Sequence, residues 1–97
     1  MKTIEELETT ITEIETSFPQ PEEDRDSRYR TGAKFYQRIV QMLYDLKEVA
    51  PTCKEPERFQ AIKERLGAIT ERMLLEVFDA TPEEINVKAA TEKFIGN

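Results

Sequence analysis

The chain has no histidine and no tryptophan, one cysteine, three glycines and no long apolar run. Without imidazole there is no Ser-His or Cys-His pair to activate a nucleophile, no imidazole general base and no histidine-ligated metal. A single thiol, Cys53, excludes an internal disulfide framework and fits a reducing compartment. Gly32, Gly67 and Gly96 are too scattered to form a glycine-rich phosphate cradle. No stretch approaches the ~18 apolar residues of a membrane span, and the N-terminus opens on an acidic amphipathic pattern. The expectation is a chain with no signal peptide and no membrane partner, placed in the cytoplasm of a bacterium or a virus-infected cell.

Strand-like alternation is missing as well, and a helical period takes its place. Ile4, Leu7, Ile11, Ile14 and Phe18 form one register, Tyr29, Gly32, Tyr36, Ile39, Leu43, Leu46 and Ala50 a second, and Phe59, Ile62, Leu66, Ile69 and Met73 a third. Apolar side chains three and four positions apart line the narrow seam by which helices pack on one another. The spacing predicts an all-α fold, a small helical bundle forming one domain over residues 1–97. Two long helices over about 27–50 and 56–80 form an antiparallel hairpin, because they match in length and the segment between them is short. A shorter N-terminal helix covers about 3–18, with Thr3 and Glu6 placed for a capping box. Pro19 and Pro21 end it, and residues 19–26 read as a proline-containing acidic linker. Ser27 is the expected cap of the second helix. A C-terminal helix over about 82–95 starts at Thr81, Pro82, Glu83 and Glu84.

Charge is unevenly placed along the chain. Residues 1–24 carry one cation, Lys2, against eight anions, a net −7; residues 25–50 carry six cations against three anions, a net +3, within a total of −6. The simplest expectation is that the acidic arm meets the basic start of the second helix, in one chain or between two. Carboxylates Glu5, Glu6, Glu8, Glu13 and Glu15 on the arm also invite comparison with proteins that mimic DNA, but a solvated face of an amphipathic helix accounts for them.

Apolar surface is in excess of what a lone hairpin can hide. Phe35, Met42 and Val49 form a second line beside the main seam of the second helix, and the third helix ends in Met73, Leu74, Leu75, Val77 and Phe78. Leaving three such side chains in water would forfeit about 5–9 kcal/mol. They are covered either by the two shorter helices or by another molecule. Phe35, Met42, Val49, Leu74, Leu75 and Phe78 are therefore the candidate surface for a protein partner, with a homo-oligomer, dimer or larger, as the leading arrangement.

Few chemical sites can be assembled from these residues. Cys53 beside Lys54 in a loop reads as an incidental thiol. Glu76 and Asp79 have the spacing of a magnesium pair on one helix face, but the preceding glutamates such a site needs are not in place. Asp24 and Asp26 have the spacing that opens a calcium loop, yet the sixth and twelfth positions are Tyr29 and Phe35 in place of glycine and glutamate. No catalytic residue, cofactor or metal ligand is assigned. Arg25, Arg28, Arg30, Lys34 and Arg38, with Tyr29 and Tyr36 among them, remain as candidate anion-binding residues. Their uses are pairing with the arm, recognition of an acidic protein, or binding of phosphates, with nucleic acid the least favoured by a net-acidic chain.

The expected function is that of a non-enzymatic adaptor or regulatory protein acting through protein–protein contacts, of the kind met among phage inhibitors, chaperones and assembly factors. The alternatives are a binder of nucleotide or nucleic-acid phosphates and, third, a magnesium-dependent all-helical nucleotide hydrolase.

Overall fold

A computed structural model describes residues 2–96. Four helices follow one another: α1 (Ile4–Thr16), α2 (Arg25–Val49), α3 (Pro56–Glu76) and α4 (Val87–Ile95), with single 3-10 turns at Ala50–Thr52 and Pro82–Glu84. No strand occurs among the described residues.

Local chemistry sets the helix starts. At α1 the Glu6 amide donates to Thr3 Oγ1 at 3.2 Å while Glu6 Oε1 accepts from the Thr3 amide at 3.0 Å, the reciprocal box expected from the sequence. α2 begins two residues before the expected cap. Asp24 is the cap, its carboxylate accepting from the Ser27 amide at 2.8 Å, because a charged acceptor satisfies a free helix amide better than a hydroxyl. Pro56 occupies the first turn of α3, where its missing N–H leaves nothing unpaired.

Two other boundaries depart from the sequence reading. α3 stops at Glu76 rather than near residue 80. Past that point the chain turns through Asp79, which holds a left-handed φ of 58°, and the Ala80 amide reaches back to Leu74 O at 2.9 Å. Leaving the helix lets Val77 and Phe78 fold over Gly32 of α2, the position where α2 has no side chain. The start expected at Pro82 is corrected too: Thr81 and Glu84 form their capping box, with the Thr81 amide 2.9 Å from Glu84 Oε1, but it closes only one 3-10 turn. Ile85 is extended, and α4 begins at Val87.

α2 and α3 form the expected long antiparallel pair, the start of α2 lying against the end of α3 where Tyr29 packs on Phe78 with ring centroids 5.4 Å apart. α1 lies across this pair parallel to α3 and antiparallel to α2, with Lys2 near Asp45 and Phe18 against Phe35. α4 covers the pair at the other end, where Phe94 meets Tyr44 edge-on. The core between them contains Leu7, Ile11 and Ile14 of α1, Ile39, Met42 and Leu46 of α2, Ile62, Leu66 and Met73 of α3, and Ile95 of α4.

Three substitutions test this packing. Gly32→Ala would place a Cβ 2.5 Å from Val77 Cγ1 and 2.8 Å from Phe78 Cζ. It should lower stability by about 1 kcal/mol, although the same change at an open helical site gains about that much. Met42→Ala should cost about 2–5 kcal/mol, whereas Tyr36→Ala should stay within about 0.5 kcal/mol. Urea unfolding monitored by circular dichroism reads all three, and similar losses for Met42→Ala and Tyr36→Ala would contradict this core.

Candidate functional site

Glu5, Glu8 and Glu15 of the acidic arm pair with α3, and this decides what is left exposed on α2. Arg58 bridges to Glu8, its Nε donating to Glu8 Oε2 at 3.0 Å, and also reaches Glu5 and Glu55. One heptad further on, Arg65 pairs with Glu15, Nε to Oε2 at 3.1 Å, and donates to Thr12 Oγ1. Another heptad on, the Arg72 guanidinium lies 3.8 Å over the Phe18 ring. Hydrogen bonds from Arg58 hold the Glu8 carboxyl below its ordinary range, and Glu15 raises Arg65. The expectation that the arm meets the basic start of α2 holds only at the linker end, where Arg28 donates to the Glu22 and Glu23 carbonyls, Thr31 to the Glu22 carboxylate and Asp24 caps the helix, while Glu5, Glu8 and Glu15 of the arm go to α3. The sequence signal that would have found this partner is the seven-residue spacing of Arg58, Arg65 and Arg72 against that of Glu8 and Glu15.

The candidate anion-binding residues of α2 divide into two sets. Arg28 is a structural hub. Its Nε donates to Val77 O at 3.0 Å, its Nη2 to Asp79 Oδ2 at 2.6 Å, and its Nη1 to Glu22 O at 3.2 Å. Tyr29 joins it, donating to Asp79 Oδ2 at 3.1 Å while its ring lies on Phe78 under the Arg25 and Arg28 guanidiniums. Arg28 and Tyr29 therefore clasp α2 to the end of α3, and the Tyr29 ring is already engaged by Phe78 and two guanidiniums. Both Arg28 and Tyr29 donate to Asp79, keeping its carboxyl below the usual range.

Arg30, Lys34 and Arg38 are the second set. They recur every four residues and are exposed on one flank of α2. Arg30 and Lys34 have no carboxylate within 4.0 Å among the described residues, and Arg38 donates only to the neutral hydroxyl of Ser17. Tyr36 is 48% exposed, but lies across the helix from Lys34 and Arg38 rather than between them.

Several other expected site residues are placed differently from the sequence reading. Phe35, Met42 and Val49 are only 4, 0 and 6% exposed, enclosed by the chain's own helices. Met42 and Val49 offer no surface to a partner, because the shorter helices already cover them, and Phe35 leaves only its small exposed fraction at a cleft beside Pro19. Leu74 and Phe78 pack half-buried against the same core, and Leu75 alone of the six is exposed. Glu76 and Asp79 do not share a helix face, since α3 ends between them; Glu76 pairs with Arg72 at 2.8 Å and Asp79 with Arg28. Cys53 is half-buried against the core.

A groove of about 330 Å³ between α3 and α4 was not foreseen. Lys63 lines it with a buried stem and an ammonium 4.0 Å from Glu92. Lys88, Glu64 and Glu71 complete a lining of mixed sign that selects no one ligand charge.

No helix among the described residues is long and apolar enough to cross a membrane. No protein-family model, curated protein or solved structure matches the chain.

The Arg28–Asp79 and Arg58–Glu8 pairs carry a pH dependence. Glu8 and Asp79 take up protons near pH ~4 in an unfolded chain and at lower pH in the folded one. Between those values the unfolded state binds more protons, so the stabilisation is complete above about pH 4 and is lost as pH falls below it. The urea midpoint should therefore drop on acidification below about pH 4, and Glu8→Gln and Asp79→Asn should each make that drop shallower. Variants as acid-sensitive as the parent would contradict the pairing.

Proposed function

We propose that this protein is a non-enzymatic helical adaptor or regulatory protein that binds an acidic surface of another protein through Arg30, Lys34 and Arg38 on α2. The observation that supports this reading is the charge arrangement. Glu5, Glu8 and Glu15 of the arm are paired with Arg58 and Arg65, and three cations on one flank of α2 are without carboxylate partners among the described residues. Exposed cations in a row steer an anionic partner and fix its orientation more than they add to affinity.

Nucleic acid fits the same surface less well. Binding of single strands combines cations with stacking platforms, whereas Tyr29 is committed to Phe78 and Asp79, and Tyr36 lies away from the cationic line. A homo-oligomer is no longer required to cover Phe35, Met42 and Val49, because the chain covers them itself. The classes in view are those of phage inhibitors, chaperones and assembly factors working in the cytoplasm.

The test is cross-linking in the native host followed by recovery of the protein, with the parent compared with an Arg30→Gln, Lys34→Gln, Arg38→Gln variant. The parent should bring down an acidic protein whose recovery falls at least about ten-fold in the variant and declines with added salt. Unchanged capture by the variant would overturn the assignment. Capture of nucleic acid in place of protein, with a steep salt dependence, would favour the phosphate reading.

A further inference from the structure

We infer that the cleft where the end of α1 meets α2 seats one apolar side chain of an acidic segment of the partner, so that the cationic flank reads both charge and shape. The inference rests on the acidic-partner reading and supplies what that reading lacks, a place for apolar contact. Charges at a rim orient a partner, but affinity comes from a few side chains buried in pockets.

The cleft is built for one side chain. It measures about 200 Å³, whereas sites that enclose a small molecule run from about 300 to 1,000 Å³. Phe35 lines it from the core, held by its edge-on contact with Phe18 at a centroid distance of 5.4 Å. Pro19 forms a second apolar wall, rigid because its φ is fixed by the ring. Lys34 and Arg38 stand at the mouth with the hydroxyls of Ser17 and Thr31. The nearby acidic group is Glu22, which accepts from Thr31 Oγ1 at 3.3 Å and is not within 4.0 Å of either cation.

Charge complementarity selects the occupant. Lys34 and Arg38 are one helical turn apart, about 6 Å along α2, with Arg30 a further turn away. Carboxylates separated by one turn of a helix, or by two residues of an extended strand, match that interval. An apolar residue between such carboxylates would lie over Phe35 and Pro19. An aromatic ring suits the site, because the Phe35 ring, itself packed edge-on with Phe18, lines the cleft.

The experiment compares two probes of equal length at neutral pH, poly-L-glutamate and a random copolymer of glutamate and tyrosine, by calorimetry and by NMR of the labelled protein. The copolymer should bind about ten-fold tighter. It should shift the Phe18 and Phe35 rings and the Thr31 methyl, whereas poly-L-glutamate should shift only Arg30, Lys34 and Arg38. Lys34→Gln with Arg38→Gln should weaken both probes. Equal binding of the two polymers would overturn the cleft assignment while leaving the acidic-partner reading intact. No binding of either at low salt would overturn that reading itself. Tighter binding of a DNA oligonucleotide of equal charge, or self-association that shifts Phe35 without any probe, would overturn the proposal by giving the cleft to phosphate or to a second copy.

Discussion

The docking of α1 parallel to α3 is the constraint on which the remaining surface chemistry depends. Leu7, Ile11 and Ile14 supply the driving force, since all three are withdrawn from water. An apolar stripe does not by itself dictate which way a helix runs or which neighbour its polar flank faces. Arg58 and Arg65 supply that choice by meeting Glu8 and Glu15 at matched seven-residue intervals. Ion pairs with this much solvent access contribute little to stability, and their effect is on register and direction.

That choice has an electrostatic consequence on α2. Once Glu5, Glu8 and Glu15 are held by α3, Arg30, Lys34 and Arg38 of α2 are left without a carboxylate partner among the described residues. Arg28 is used internally, tying the linker, α2 and the turn after α3 together through Glu22, Val77 and Asp79. What remains for binding is a short row on one flank, next to the cleft made by the end of α1. The same docking that completes the core therefore creates both the charge and the shape of the candidate surface. A chain with net charge −6 can in this way present a cationic face to an acidic partner.

Much of the fold was legible because it rests on periodicity and caps. The apolar registers of α1 and α3, the Thr3 and Glu6 box and the first-turn Pro56 are where the residues place them, whereas the buried line of α2 runs through Phe35, Met42 and Val49 beside Gly32, Ile39 and Leu46 and leaves Tyr36 of the expected seam exposed. The end of α3 was not legible, because Met73 to Phe78 is apolar nearly all round and gives no sign that Val77 and Phe78 leave the helix to pack on Gly32. Thr81 to Glu84 has every feature of a helix start and yields one 3-10 turn, since a cap favours a turn without supplying the packed face that prolongs it. The cationic row was visible in the sequence, whereas its freedom was not. Net charge by segment pairs the arm with the nearest opposite charge, and only heptad phase distinguishes Arg58 and Arg65 as the partners chosen in three dimensions.

The most direct measurement is the set of NMR contacts made by the arginine side chains. The Nε–H groups of Arg58 and Arg65 should be protected from exchange and show nuclear Overhauser contacts to the side-chain methylenes of Glu8 and Glu15, while that of Arg30 behaves as a solvated group. Contacts from those glutamates to Arg30, Lys34 or Arg38 instead would mean that the arm covers the cationic row, and the account of this surface would fail.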